Sequence, residues 1–317
     1  MTLPIGWPSA VGLALGYLAD GLFGDPRRFH PVAGFGAAAG WLEDQAYADS
    51  RAAGVGYVAV LVGAATGGSV LIDRACARHP ISRIVVTAGI TWAVLGGRSL
   101  RREASLVAGR LNAGDLPAGR RQVRNLVGRD TAGLSAREVA RATVESVAEN
   151  TSDAVVAPLL WGAVAGLPGL VGYRAINTLD AMVGHRSPRY LRFGWAAARL
   201  DDLVNWVPAR VSGLATAVWA PLVGGSPGKT LRAVVDDAGR HPSPNAGVVE
   251  AAFAGALGIR LGGRNVYSGQ VEDRGQLGTG RGVEISDIAR ANRLAGAVSI
   301  TGLLVAGLIR MVRRCRC

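Results

Sequence analysis

The chain has 317 residues, 49% of them hydrophobic and 18% charged, with 45 glycines and a formal net charge of +12; its mean hydropathy of +0.25 lies on the apolar side of ordinary soluble proteins. In a soluble protein such a basic balance would suggest nucleic acid, but no aromatic-interleaved basic face or nucleic-acid module accompanies it. The three cysteines, Cys76, Cys315 and Cys317, build neither a disulfide framework nor a zinc site, which makes a reducing compartment the default.

The apolar excess falls in blocks at residues 5–23, 54–72, 84–97, 154–183, 211–223 and 295–312. Crossing about 30 Å of hydrocarbon takes about 20 helical residues, so the first, second and last blocks read as spans and 154–183 exceeds one. The block at 84–97 reaches that length only if its helix runs on past Arg98 or pairs with a neighbour. A buried core helix is the alternative for any single block, but recurrence in one chain rich in glycine and alanine favours membrane packing. The first block lacks a basic leader and runs straight into a polar motif, Asp20-Gly21-Leu22-Phe23-Gly24-Asp25-Pro26 followed by His30-Pro31-Val32, so no cleavable signal is evident. His79, in a short arginine-rich loop, reads as structural.

Arginines gather in residues 98–141 and 229–293, the pattern expected of cytoplasmic segments. Within 98–144, Leu100, Ala104, Val107, Ala108 and Leu111 form one helical stripe, a break follows at 114–119, and Ser135-Ala136-Arg137-Glu138 has the capping-box pattern of a new helix. These helices are expected at the membrane surface. A second insertion, 224–285, is richer in glycine and proline and is expected to wrap the site.

Next comes Glu145-Ser146-Val147-Ala148-Glu149-Asn150-Thr151-Ser152-Asp153, which runs into the longest apolar block. On a helix Glu145, Glu149 and Asp153 share one face at i, i+4 spacing, where like charges repel. They need either arginine partners or a divalent metal, unless they form a solvated helix start. Arg174 and Asp180 lie inside or at the rim of the same block, where an ionised group is costly unless it faces a polar cavity or a partner, and they could pair with each other. Asn177, His185, Arg186, Arg199, Asp201, Asp202 and Asn205 follow. A last cluster, His241-Pro242-Ser243-Pro244-Asn245-Ala246-Gly247, has Glu250 after it. His30, His185 and His241 could supply phosphate contacts or proton transfer.

Gly224-Gly225-Ser226-Pro227-Gly228-Lys229-Thr230 looks like a phosphate-binding loop but fails as one. The Walker pattern needs glycine where this chain has Val223, and Pro227 removes an amide. Lys229 could still touch a phosphate.

The reading is an all-α polytopic integral membrane protein with re-entrant or broken helices and interfacial amphipathic helices. It forms a single membrane domain over 1–317, with cytoplasmic insertions at 98–144 and 224–285. Five motifs in order then resemble the CobD/CbiB family, the adenosylcobinamide-phosphate synthases of cobalamin biosynthesis. They are Asp-(x)4-Asp-Pro…His-Pro-Val from Asp20, Glu-(x)3-Glu-Asn-(x)2-Asp-(x)4-Pro-Leu from Glu145, Tyr-Arg-(x)2-Asn-(x)2-Asp-(x)4-His from Tyr173, Asp-Asp-(x)3-Trp-(x)-Pro-(x)-Arg from Asp201, and His-Pro-Ser-Pro-Asn-Ala-Gly from His241. The resemblance implies ATP-dependent joining of a propionate carboxylate of adenosylcobyric acid, a corrinoid substrate, to (R)-1-amino-2-propanol or its O-phosphate.

On that reading, side-chain chemistry assigns Mg²⁺ to Glu145, Glu149 and Asp153, and catalysis to Asp180, Asp201 and His185. Substrate and phosphate binding falls to Asp20, Asp25, His30, Asn150, Arg174, Asn177, Arg186, Asp202, His241 and Asn245. The expected partners are these substrates, membrane lipids and other enzymes of the same pathway, with no nucleic acid. The site is expected to face the cytoplasm from a multi-pass chain in the cell membrane. One shared face for all four clusters requires the long block to turn back at Leu167-Pro168-Gly169 as a re-entrant hairpin. A transporter, or a non-catalytic membrane assembly protein of the same fold, is the alternative.

Overall fold

The computed structural model describes residues 7–26, 30–267 and 270–312. In chain order the helices run α1 (Trp7–Phe23), α2 (Pro31–Ala46), α3 (Arg51–Cys76), α4 (Pro80–Val94), α5 (Gly97–Asn112), α6 (Leu116–Val123) and α7 (Ala136–Thr151). A π-helical turn, Ser152–Val156, leads into α8 (Ala157–Val183), then α9 (Tyr190–Phe193), α10 (Trp195–Val204), α11 (Trp206–Trp219), α12 (Pro227–Asp237) and α13 (Ala246–Leu257). Strands β1 (Leu261–Tyr267) and β2 (Gln270–Leu277) form a hairpin before α14 (Ser286–Val312).

Among the described residues four helical runs are long and apolar enough to cross a membrane: Arg51–Cys76, Pro80–Asn112, Ala136–Val183 and Ser286–Val312. The second run comprises α4 and α5, separated at Leu95, whose backbone is extended (φ −73°, ψ +155°), so α4 itself stops before Arg98. Val60 and Leu71 on α3, Ile81 and Val85 on α4, and Leu304 and Leu308 on α14 are exposed, a surface suited to lipid. α1 has 17 described residues, and the start of its block and Cys315 and Cys317 lie outside the described residues.

Packing divides the chain into two compact units, each assembled from separated stretches of sequence: Met1–Gly96 with Ala157–Asn205 and Gly302–Cys317, and Gly97–Val156 with Trp206–Thr301. Both insertions fall in the second unit.

In the first unit glycines let backbones touch. A Cβ on Gly12 would stand 2.5 Å from Thr87 Cβ and one on Gly16 2.4 Å from Thr91 Cβ, so α1 and α4 approach through a small-residue seam. At Gly54 a Cβ would lie 1.9 Å from the Phe193 carbonyl oxygen. Around that contact Tyr57, Leu61, Leu179, Val183 and Phe193 form a buried core, and the Tyr57 hydroxyl donates to Ala39 O at 3.1 Å.

The long block reverses direction. Gly166 adopts φ +70° and Pro168 follows. Eight residues along a straight helix would lie about 12 Å apart, yet a Cβ on Gly169 would fall 2.2 Å from Trp161 O and one on Gly162 3.5 Å from Leu170 Cδ1. α8 is therefore a helical hairpin, with its break one residue before the expected Leu167-Pro168-Gly169. Arg310 Nη2 donates to the Gly162 carbonyl at 2.7 Å, satisfying an oxygen whose helical partner the break removes.

In the second unit Ser135 and Glu138 form the expected capping box. α5 buries Leu100, Ala104, Val107 and Leu111 among its neighbours α6 and α7, so protein packing accounts for the amphipathic stripe read as a membrane-surface face. α13 is buried along nearly its whole length. The hairpin was not anticipated within the Gly/Pro-rich 224–285 segment. Its register slips between Gly262 and Arg264, where Gly262 and Gly263 take φ of +75° and +83°, the positive values that glycine permits at a bulge.

Candidate active site

The third polar cluster assembles in the first unit, across α8 and α10. Asn177 Nδ2 donates to Asp201 Oδ1 at 3.3 Å, and Asn205 Nδ2 donates to Asp201 Oδ2 at 2.9 Å. The Tyr173 hydroxyl donates to Asn205 Oδ1 at 2.9 Å, and Arg174 Nη1 stands 3.5 Å from Asn177 Oδ1. A carboxylate only accepts hydrogen bonds, so two amide donors orient both oxygens of Asp201. Tyr173, Arg174 and Asn177 sit on the part of α8 after Gly166, which packs against α10.

Asp180 stands one turn before Gly184, and a Cβ there would fall 1.9 Å from Asp180 Oδ1, so the glycine makes room for this carboxylate. Beyond it His185 and Arg186 are exposed, with the His185 ring edge-on to Tyr190 at 4.8 Å. Asp202 is half-buried. Burial raises its pKa, and Arg199 and Arg186 offset part of that rise.

Of the first motif, Asp20 is buried in the last turn of α1 and Asp25 is half-buried after Gly24, whose φ of +68° turns the chain. His30 caps α2: its Nδ1 accepts the Val32 N–H at 3.2 Å, with Pro31 at the first helical position. That nitrogen is therefore committed to the helix start, and only Nε2 is left for a substrate.

The acidic row of the second unit is divided in use. Glu145 is buried and accepts from Arg129, from Arg141 Nη1 at 3.1 Å and from the Gly262 amide at 2.8 Å. Asn265 Oδ1 accepts from both arginines. The cations required by the repelling row are thus arginines at Glu145. Glu149 and Asp153 remain half-buried, and Asp153 sits in the π-helical turn, off the strict i, i+4 row. Among the described residues no group of three His, Cys, Asp or Glu side chains is gathered to hold a metal. Glu149 and Asp153 still suit Mg²⁺ carried on nucleotide phosphates, which takes one or two protein carboxylates. Asn150 Nδ2 bonds Ser146 O and Oγ on its own helix.

The last cluster also lies in the second unit. His241 and Asn245 are buried, and Asn245 Oδ1 accepts from Arg210 Nη1 at 2.7 Å. Arg210 in turn stacks on Trp206, 4.6 Å from its ring centroid. Burial, then the nearby Arg274 charge, lowers the His241 pKa to about 4. α13 has 12 residues, too few to cross a bilayer, and on it Glu250 is fully buried. Burial first, then the charges of Glu145 and Glu149, raises its pKa well above the usual carboxylate range.

Sequence reasoning did not single out Arg129, Arg141, Asn265 or Arg274. One of many arginines in a cytoplasmic-type segment carries no sign of burial. Arg210 stood in the Trp-(x)-Pro-(x)-Arg pattern, and that was its only signal.

A model of the CobD/CbiB protein family matches residues 13–295. The chain belongs to the CobD/CbiB family. Its relatives include the cobalamin biosynthesis protein CobD of Mycobacterium tuberculosis strain H37Rv, 50% identical over 307 residues, which are 96% of this chain and 97% of that one. The protein of the same name from Geobacter metallireducens is 48% identical over 258 residues, 80% of this chain and 81% of its own. That of Chromobacterium violaceum is 42% identical over 317 residues, 95% and 99% of the two chains. No solved structure matches. All five CobD/CbiB motifs, from Asp20 to Gly247, fall inside the matched region.

Proposed function

We propose that this CobD/CbiB family member acts in cobalamin biosynthesis as the ATP-dependent amide synthase. It joins a propionate carboxylate of adenosylcobyric acid to (R)-1-amino-2-propanol or its O-phosphate, giving adenosylcobinamide or its phosphate. The observation that carries this reading is similarity along 96% of the chain to a relative named for that pathway, with every motif residue in place.

A carboxylate is a poor acyl donor. The reading therefore has a carboxylate oxygen take the γ-phosphoryl group of ATP and release ADP. The amine nitrogen then attacks the acyl carbon, the C–O bond to phosphate breaks, and inorganic phosphate leaves. The ammonium form must first lose a proton, a role for Asp180 or Asp201. In the first unit Arg174, His185 and Arg186 are assigned to phosphate oxygens, and in the second Glu149 and Asp153 would hold Mg²⁺, which neutralises phosphate charge when bound. Asp20, Asp25, His30, Asn150, Asn177, Asp202, His241 and Asn245 bind and orient substrate, while Glu145 anchors the fold. Because ATP is cytoplasmic, the site faces the cytoplasm.

The test incubates membranes containing the protein with adenosylcobyric acid, ATP, Mg²⁺ and either amine, and identifies products by mass. An ATP-dependent amide product is expected. Corrinoid flux into vesicles with no amide product would favour a transporter and overturn the proposal.

A further inference from the structure

Glu250, in the second unit, is a buried carboxyl that its surroundings do little to offset. It is 0% exposed, neither carboxyl oxygen has a hydrogen-bond partner among the described residues, and its chain neighbours Val248, Val249, Ala251, Ala252, Phe253 and Ala254 are buried and apolar. A polar group held this way destabilises a fold, and a leucine or methionine of similar shape would pack better. Among the described residues the basic group within ion-pair range of it is His241 Nε2, 3.7 Å from Oε1 and itself buried without a hydrogen-bond partner, while Arg274 and Arg129 act on the carboxyl from farther away. On the other side of that ring Nδ1 accepts the Ser243 N–H at 3.0 Å. The same Nδ1 stands 3.2 Å from the Ser243 carbonyl oxygen, which can only accept, so the turn by itself permits either tautomer and an acceptor beside Nε2 selects the one that carries its hydrogen there, facing Glu250. Continuing round the turn, Ser243 Oγ accepts from the Ala246 N–H at 3.2 Å, and Asn245 receives Arg210.

We infer that Glu250 is a positioning residue: its carboxyl is the acceptor that keeps the His241 ring in the Nε2–H tautomer and so holds the His-Pro-Ser-Pro-Asn turn in the shape that presents Asn245 and Arg210. The 3.7 Å gap is closed by a small side-chain rotation or one bridging water. Burial disfavours the charged form of both groups, and a neutral acid still offers its carbonyl oxygen.

The test has a readout that needs no substrate. The protein has four histidines, so [¹⁵N]histidine spectra in detergent, with His241→Asn to assign the signal, report the tautomer directly. Nε2–H is expected in the wild type and in Glu250→Gln, whose amide oxygen replaces the acceptor, and a mixture of tautomers in Glu250→Leu. Glu250→Met is a second apolar variant should leucine not fold. In the synthase assay, the one arm that rests on the proposed function, kcat in the apolar variant falls about tenfold. Glu250→Gln recovers most of that loss, and thermal stability of the apolar variant is equal or higher. Nδ1–H in the wild type, a tautomer unchanged in the apolar variants, or an apolar variant with undiminished kcat would overturn the assignment. A wild type without synthase activity would remove the proposed function and leave the tautomer result to decide this one.

Discussion

Glu145 and Glu149 stand one helical turn apart and are predicted to fail in different ways. Glu145→Gln leaves the buried Arg129 guanidinium without its carboxylate. Breaking a buried pair on one side typically costs about 3–5 kcal/mol, so a marked fall in apparent Tm in detergent is expected, together with lower protein yield. Glu149 is half-buried with no such partner among the described residues, so Glu149→Gln should melt like the wild type and make no amide at saturating Mg²⁺. Full turnover in Glu149→Gln would return this carboxylate to a solvated face. A pH effect also follows at the residue scale. The folded pKa of His241, about 4, lies below the unfolded value of about 6.5, so below pH 6.5 the unfolded chain binds the proton first. The stability from neutral His241 is full above about pH 6.5 and is lost as pH falls towards 4. Thermal-shift curves across that range should show the decline in the wild type and a shallower one in His241→Asn.

At the scale of elements, the α8 hairpin rests on a single left-handed residue and one arginine. Gly166→Val places a β-branched side chain at φ +70°, a conformation costing about 1–2 kcal/mol or more. Arg310→Ala strips the Gly162 carbonyl of its donor. Both variants should reduce the amount of folded protein recovered from membranes, and normal yield from both would mean that the break is held by other contacts. The glycine-rich segment before α12 has a different explanation from a nucleotide loop. Ser226 caps the helix by accepting from the Lys229 N–H at 3.3 Å, and Pro227 occupies the first turn. Lys229 is exposed, so Lys229→Ala should lower synthase activity only modestly. Complete loss at normal protein level would show that its ammonium is needed on phosphate.

For the whole molecule, the proposed cytoplasmic site makes a sidedness prediction. With Cys76, Cys315 and Cys317 replaced, cysteines at exposed Asn112, Arg186 and Pro244 should each react with a membrane-impermeant thiol reagent from the cytoplasmic side. Ser152 is buried, so a cysteine there should stay silent and serves as the control. Labelling of Arg186→Cys only from the opposite side would remove the third cluster from an ATP-consuming site.

Composition and periodicity determined much by themselves: a helical membrane chain, the capping box at Ser135, a break near Pro168, and the polar residues embedded at block ends. These are local signals, because hydropathy, capping and proline chemistry act within a turn or two of the chain. Tertiary structure alone decided how Glu145 is neutralised, since Arg129 and Arg141 look like any other arginine until the β1 backbone closes over them. It also decided that Asn177 and Asn205 grip Asp201 from two helices, and that the α5 stripe faces protein. The β1–β2 hairpin was weakly written: a Val-Tyr-Ser-Gly-Gln-Val run at residues 266–271 is a two-residue turn signal, but the glycines around it hid the strands. Glu250 is the sharpest case. A glutamate after a helix start reads as a favourable dipole partner, and only burial on every side of α13 turns it into an unpartnered carboxyl facing His241.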